Sequence, residues 1–220
     1  MAGFFRNKHH EIDPVWHAQV AMLAAIGLQF ALPDKFSVGS RYALPVIELL
    51  LLIALSITTP RQPVFRSIAR RINAILLIAI ATAANVYSLS QVANALLQGK
   101  SAAGNGRQLI LVAINIYLTN IIILGLWYWE MDGGGPGQRH RTDVHYRDFM
   151  FPQNQDEERF PKWKPTFIDY LYVSATNAMA FSPTDTMPLS RRAKLLMFMQ
   201  ATISLIAIAL VAARAVNILG

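Results

Sequence analysis

Residues 72–97 read INAILLIAIATAANVYSLSQVANALL, and this stretch decides the fold. Its 26 residues include no Asp, Glu, Lys, Arg or His. As an α-helix it is about 39 Å long, more than the roughly 30 Å of a bilayer's hydrocarbon core. In lipid every backbone amide must find its partner within the protein, which a helix achieves and a lone strand does not. The polar members Asn85, Gln91 and Asn94 are uncharged. The stretch predicts a transmembrane helix.

Four further stretches are similar in kind. Val15–Leu32 carries His17, Gln19 and Gln29, and Tyr42–Thr58 carries Pro45 and Glu48. Leu109–Trp129 carries Asn115, Thr119 and Asn120, and Ala193–Leu219 carries Gln200, Ser204, Arg214 and Asn217. None alternates with the period of a barrel strand. Val15–Leu32 is expected to be a retained span, because Pro33-Asp34-Lys35 offers no small-x-small cleavage site. A sixth segment, Thr166–Phe181, has 16 residues and is about 24 Å long as a helix. That length is short for a span and suits a re-entrant helix.

Composition agrees. Of the 220 residues, 54% are hydrophobic and 15% charged, where a soluble domain has about 25% charged. Seven of the 13 acids lie between Glu130 and Glu158, in the one substantial hydrophilic segment. The expected fold is all-α: a polytopic transmembrane helical bundle with five spans plus one short re-entrant or spanning helix. The expected organisation is an N-tail over 1–14, four transmembrane helices within 15–129, and an interfacial loop over 130–165. A short helix and polar turn over 166–190 and a last helix over 191–220 complete it. Trp127, Tyr128 and Trp129 are expected to form an aromatic belt at the membrane surface. The glycine run at 133–137 is expected to break the helix.

Lysine and arginine set orientation. With five spans, the side holding the N-tail, the 59–71 loop and the 130–192 region, with Lys194 counted at its helix end, has 15 of the 20. The 59–71 loop carries Arg61, Arg66, Arg70 and Arg71 and no acid. Cytoplasmic loops are the basic ones, so the N-terminus is expected in the cytoplasm. The net charge of +7 fits contact with anionic headgroups better than with nucleic acid, for which no aromatic-interleaved basic face is present.

No enzyme is expected. With no cysteine, thiolate catalysis, disulfides and iron–sulfur sites are excluded. G-x-S-x-G and H-E-x-x-H are absent, and no Walker lysine follows the glycine run. His9 and His10 near Glu11 and Asp13, or His140 and His145 near Asp143 and Asp148, have no spacing that fixes a metal geometry. Neither a cofactor nor a metal is therefore expected. The bilayer is the expected partner, and a homo-oligomer and a small ion or solute stay open.

Glu48 stands out, since a charge within a span costs about 2.5–3.5 kcal/mol on insertion scales. Arg214 has a matching depth at the same face, so an ion pair between them is expected. A proton or cation site, or a Glu48 near the headgroups, are the alternatives. Asn85, Gln91, Asn115 and Thr119 are expected to bond between helices, with a polar path as the sharper alternative.

The block from Asp169 to Lys194, DYLYVSATNAMAFSPTDTMPLSRRAK, has the layout of a pore loop. It distantly resembles the pore helix and filter of two-span potassium channels at Asp169, Leu171, Tyr172, Ser174 and Asp185. The filter glycines are missing: the corresponding residues are Ala180-Phe181-Ser182-Pro183-Thr184. A carbonyl-lined filter is therefore not implied. The segment 182–188 is expected to be an ordered polar turn on the last span, which Ser190 would cap. Arg191 and Arg192 would then face anionic lipid or Asp185.

Over 166–219 the chain also resembles a bacterial integral membrane family of unknown function, number 1345. The residues carrying the resemblance are the D-x-L-Y helix, Thr176, the S-x-T-D turn at 182–185, Ser190-Arg191-Arg192 and Asn217. The resemblance implies a multi-pass protein of the bacterial plasma membrane and supplies no activity. The expected function is a non-catalytic membrane component, the alternative a channel- or transporter-like conductor built around 166–190. The candidate positions are Glu48, Arg214, Asp169, Thr176, Asn177, Ser182, Thr184, Asp185, Arg191 and Arg192.

Overall fold

A computed structural model describes residues 15–57, 68–97, 106–136, 138–139, 147–156, 158–161, 163–180 and 185–219. His9, His10, His140, His145, Ser182 and Thr184 lie outside the described residues. The described chain is all-helical apart from one two-stranded ribbon. Its helices are α1 (Val15–Phe30), α2 (Ala43–Ile57), α3 (Ile68–Leu97), α4 (Gly106–Met131), α5 (Phe167–Ala180) and α6 (Arg191–Leu219).

Among the described residues, three stretches are long and apolar enough to cross a membrane: Ala69–Leu97, Arg107–Gly134 and Arg191–Arg214. The first and second helices are shorter, at 16 and 15 residues, about 24 and 22 Å. The helix at 72–97 starts four residues earlier than its apolar run, at Ile68, and takes in Arg70 and Arg71. Arg70 is buried there, and Glu130 at the end of α4 acts on it electrostatically.

α4 is the hub, packing against α1, α3, α5 and α6, while α2 packs on α1 and α3. Small residues allow close approach where helices cross: Ala25, Ala81, Ala113, Ala178 and Ala193 are all fully buried. Gly125 serves the same end. A methyl group at its position would stand 3.2 Å from the Leu171 Cα of α5.

Side-chain neighbours fix the direction of each helix. Val15, Arg70, Trp129 and Glu130 line one small cavity, so the starts of α1 and α3 and the end of α4 share one end of the bundle. Leu32 and Phe36 cluster with Leu89, Val92 and Leu109 at the other. Helices α1 to α4 therefore alternate in direction.

The chain of α5 enters and returns at one end. Phe167 meets Trp129 edge-on at 6.1 Å, and Ser174 bonds the Ile121 carbonyl, so α5 runs inward antiparallel to α4. After α5, strand β2 (Met187–Pro188) pairs antiparallel with β1 (Phe149–Met150), with Phe149 opposite Pro188. The Phe149 amide is itself bonded to Asp132 at the end of α4. Both flanks of α5 are thus tied to the α4 C-terminal end, as in a re-entrant helix.

Parts of the hydrophilic segment are more than a surface loop. Phe149 and Phe151 are buried among Tyr128, Tyr170 and Phe167. The expected aromatic belt is also corrected. Tyr128 and Trp129 are buried, and the Trp127 indole donates to Thr82 of α3. These rings sit on the hub helix, where neighbours surround them.

Candidate functional site: the buried polar cluster of α4, α5 and α6

α5 is short and carries polar groups at Tyr170, Ser174 and Asn177, spaced four and three apart on one face. All three are buried. α6 answers with Gln200 and Ser204, four apart and fully buried. α4 contributes Asn120 and Tyr128 between them.

Gln200 is the centre. Its Nε2 donates to the Ser174 carbonyl at 2.9 Å and to Ser174 Oγ at 2.6 Å. Its Oε1 accepts from Asn177 Nδ2 at 2.9 Å and from the Tyr128 hydroxyl. Asn177 Nδ2 also donates to the Met197 carbonyl at 3.0 Å, and Ser174 Oγ to the Ile121 carbonyl at 2.6 Å. One turn deeper, Asn120 Nδ2 donates to Ser204 Oγ at 3.0 Å. The Gln200 amide uses all of its donors and acceptors inside the protein. The set holds three helices in register, and Asn120 Oδ1 is its one buried side-chain atom without a partner.

A second cluster closes the end of α4. Gly133, Gly134 and Gly135 have φ of 58°, 83° and 89°, a left-handed path that suits only glycine. This turn swings Arg139 back beneath the helix, where it donates to the Trp129 carbonyl and, at 3.3 Å, to that of Asp132. Asp132 Oδ1 accepts from the backbone amides of Asp148 at 2.7 Å and Phe149 at 3.2 Å. Asp132 Oδ2 accepts from the Tyr170 hydroxyl and lies 3.5 Å from Arg139 Nε. The guanidinium also lies over the Tyr170 ring, 4.6 Å from its centre. The glycine run is a breaker, as expected, and also the hinge that delivers this arginine.

The expected positions fall into three groups. Asn177 belongs to the cluster. Asp169 and Thr176 serve their own helix. Asp169 Oδ2 accepts from the Thr166 amide at 2.7 Å and hydroxyl at 2.9 Å, a capping box at the start of α5. Thr176 Oγ1 donates to the Tyr172 and Val173 carbonyls, both at 3.0 Å. Ser190 caps α6 as expected, its Oγ accepting from the Ala193 amide at 3.1 Å. Asp185, Arg191 and Arg192 are exposed.

The expected Glu48–Arg214 ion pair is not formed. α2 packs on α1 and α3, whereas α6 packs chiefly on α4 and α5 and only lightly on α3, so matching depth does not make the two neighbours. Glu48 is fully buried and accepts from Gln29 Nε2 at 3.2 Å. Its Oε2 has no partner, and neither has Arg214 Nε. Of the expected interhelix bonds, Asn115 Nδ2 donates to the Leu28 carbonyl of α1 at 2.9 Å. Gln91 instead bonds Tyr87 of its own helix at 2.9 Å.

Asp132 and Arg139 were not picked out from the sequence, while Gln200 stood there only as a polar member of the last span, Tyr128 as part of a surface belt and Ser174 through the pore-loop resemblance. The signal was present in part, as a polar stripe at helical spacing in α5 and another in α6. For Arg139 there was none, because the turn that returns it is a tertiary feature. Among the described residues no group of three or more His, Asp or Glu is placed to hold a metal. No family model, curated protein or solved structure matches the chain.

Proposed function

We propose that this chain is a non-catalytic component of the bacterial plasma membrane, a multi-pass bundle with five crossings and a re-entrant α5. In this reading α1 and α2 cross as short, tilt-free helices, with the bilayer thinned or their flanks snorkelling around them. The N-terminus and the 130–190 end face the cytoplasm, following the arginines.

One observation carries the reading: the polar side chains of α4, α5 and α6 around Gln200 bond one another, with Asn120 Oδ1 the buried side-chain atom among them that lacks a partner. A conduction path needs polar groups that face water and exchange partners with a passing solute. A space of about 450 Å³ between α1 and α2 is an outer groove lined mainly by apolar side chains such as Leu23, Leu49 and Ile53.

Purified protein in liposomes, assayed for potassium, sodium and proton flux, tests the proposal. No flux above empty liposomes is the expected result. A flux abolished by Asp185→Asn would replace it with a conductor built around 166–190. Single cysteines at Ser40 and Gln153, labelled with an impermeant reagent in intact cells, test orientation: reaction at Ser40 alone is expected. Reaction at Gln153 alone would reverse the assignment.

A further inference from the structure

The carboxyl of Glu48 is the fully buried carboxyl of the described helices that lacks a full set of partners. It is 0% exposed, it accepts one hydrogen bond, and its second oxygen has no partner. A carboxylate in water is solvated at about four lone-pair positions. An ionised group held this way inside a membrane helix loses nearly all of that solvation, and such residues mark ion or proton sites.

A second, independent feature lies next to it. A cavity of about 10 Å³, room for about one water, opens beneath the 31–42 connection. Gln29, Ser37, Ser40, Arg41, Asn85 and Ser88 supply its polar lining. Gln29 is shared: it lines this cavity and donates to Glu48 Oε1. Leu44 and Pro45, one turn before Glu48 on α2, form part of the same wall. The unpartnered carboxyl therefore sits one side chain behind a polar, water-sized pocket at one end of the bundle.

The donor set selects the ligand. Gln29 presents an N–H to the carboxyl, which suits an oxygen lone pair and opposes a metal cation. Hard cations need several oxygens around them, and no second carboxylate lines the pocket beside Glu48. Other titratable or charged groups on the packed elements are few. They are His17 at the far end of α1, Asp34, Lys35 and Arg41 in the connection, Arg70 and Arg71 at the far end of α3, and Tyr87 on its exposed side. Asp34 accepts from the Arg41 backbone amide, and the Arg41 guanidinium donates to the Phe30 carbonyl.

We infer that Glu48 is a proton-binding site, holding its proton on Oε2 and exchanging it with water in the Gln29–Asn85–Ser88 pocket. On release the O–H bond of the carboxyl breaks, the proton passes to pocket water as hydronium, and the carboxylate keeps the electron pair. Gln29 must turn aside for that exchange, so it acts as a positioning residue and gate.

Infrared difference spectroscopy on the intact protein in lipid tests this directly. The expected result is a protonated-carboxyl carbonyl band at neutral pH that vanishes in Glu48→Gln and shifts on transfer to deuterium oxide. Gln29→Leu should move the band to higher frequency, because its one donor is lost. Asn85→Leu should slow deuterium exchange by filling the pocket while leaving the band in place. Should Glu48→Gln not fold, wild-type protein carrying carbon-13 glutamate assigns the band by its isotope shift. A spectrum with no such glutamate band, or a band that never exchanges, overturns the inference. So does a band that disappears on adding sodium or potassium at fixed pH, which would make the site a cation site.

Discussion

Asp132 and Arg139 are joined as a buried ion pair, Oδ2 to Nε at 3.5 Å, with both side chains almost wholly shielded from solvent. The pair is stapled from outside itself. The carboxylate also holds two backbone amides and the Tyr170 hydroxyl, and the guanidinium holds two carbonyls of the α4 end. Desolvation of two charges is costly, and it is offset only when such additional bonds are present. Removing one partner leaves the other charge buried alone.

Asp132→Asn is therefore expected to lower stability by about 3–5 kcal/mol, the range for breaking a buried pair. Arg139→Met is expected to fall in the same range. Unfolding in mixed micelles measures both. Hydrogen exchange adds a local signature: the amides of Asp148 and Phe149 lose protection in Asp132→Asn. A loss of stability without faster exchange at those two amides would contradict the geometry.

Gln200 gives a graded series. Gln200→Leu strands the Tyr128 hydroxyl, takes one partner each from Ser174 and Asn177, and is expected to cost about 2–3 kcal/mol, within the range for buried groups left unsatisfied. Tyr128→Phe removes one donor to a shared acceptor and is expected to cost about 1 kcal/mol or less. The reverse order of the two effects would show that Gln200 is not the centre of the cluster.

Two glycines within helices should respond in opposite ways. Gly27 has open space around it, so Gly27→Ala is expected to stabilise by up to about 1 kcal/mol through helix propensity. Gly125 has the α5 backbone 3.2 Å from its absent methyl, so Gly125→Val is expected to destabilise by about 1–3 kcal/mol through overpacking. Thermal unfolding of the two variants beside the parent chain checks the contrast.

Glu48 and Arg214 should behave independently. They form no ion pair and lie on helices that share only α3 as a neighbour, so a double-mutant cycle of Glu48→Gln and Arg214→Gln is expected to be additive within about 0.5 kcal/mol. A coupling of several times that size would restore the ion pair that their matching depths suggested.

Much of the helix pattern is legible in the sequence because hydrophobic length is a local property. The stretch 72–97 lies wholly within α3, and the apolar cores of the other stretches became α1, α2, α4, α5 and α6 with ends moved by a few residues. Helix ends moved where charged residues joined a helix, as Arg70 and Arg71 did, since hydropathy alone stops at the first charge. The cap at Ser190 was legible for the same reason: a cap is set by residues three apart.

The partners of the buried polar residues were not legible. The chain by itself determined that Glu48, Asn177, Gln200 and Asp132 stand in or beside apolar helices, where each needs a partner. Only the tertiary structure decided which partner each has. Depth along a helix follows from counting residues, but the side a residue faces and the helix it meets depend on packing around α4. That is why Glu48 and Arg214 match in depth yet stay apart, while Tyr128, placed by sequence at a lipid surface, meets Gln200 72 residues away. Arg139 reaches Asp132 for a similar reason: three glycines in left-handed conformation turn the chain back, and the helix end they cover supplies the carbonyls that hold it.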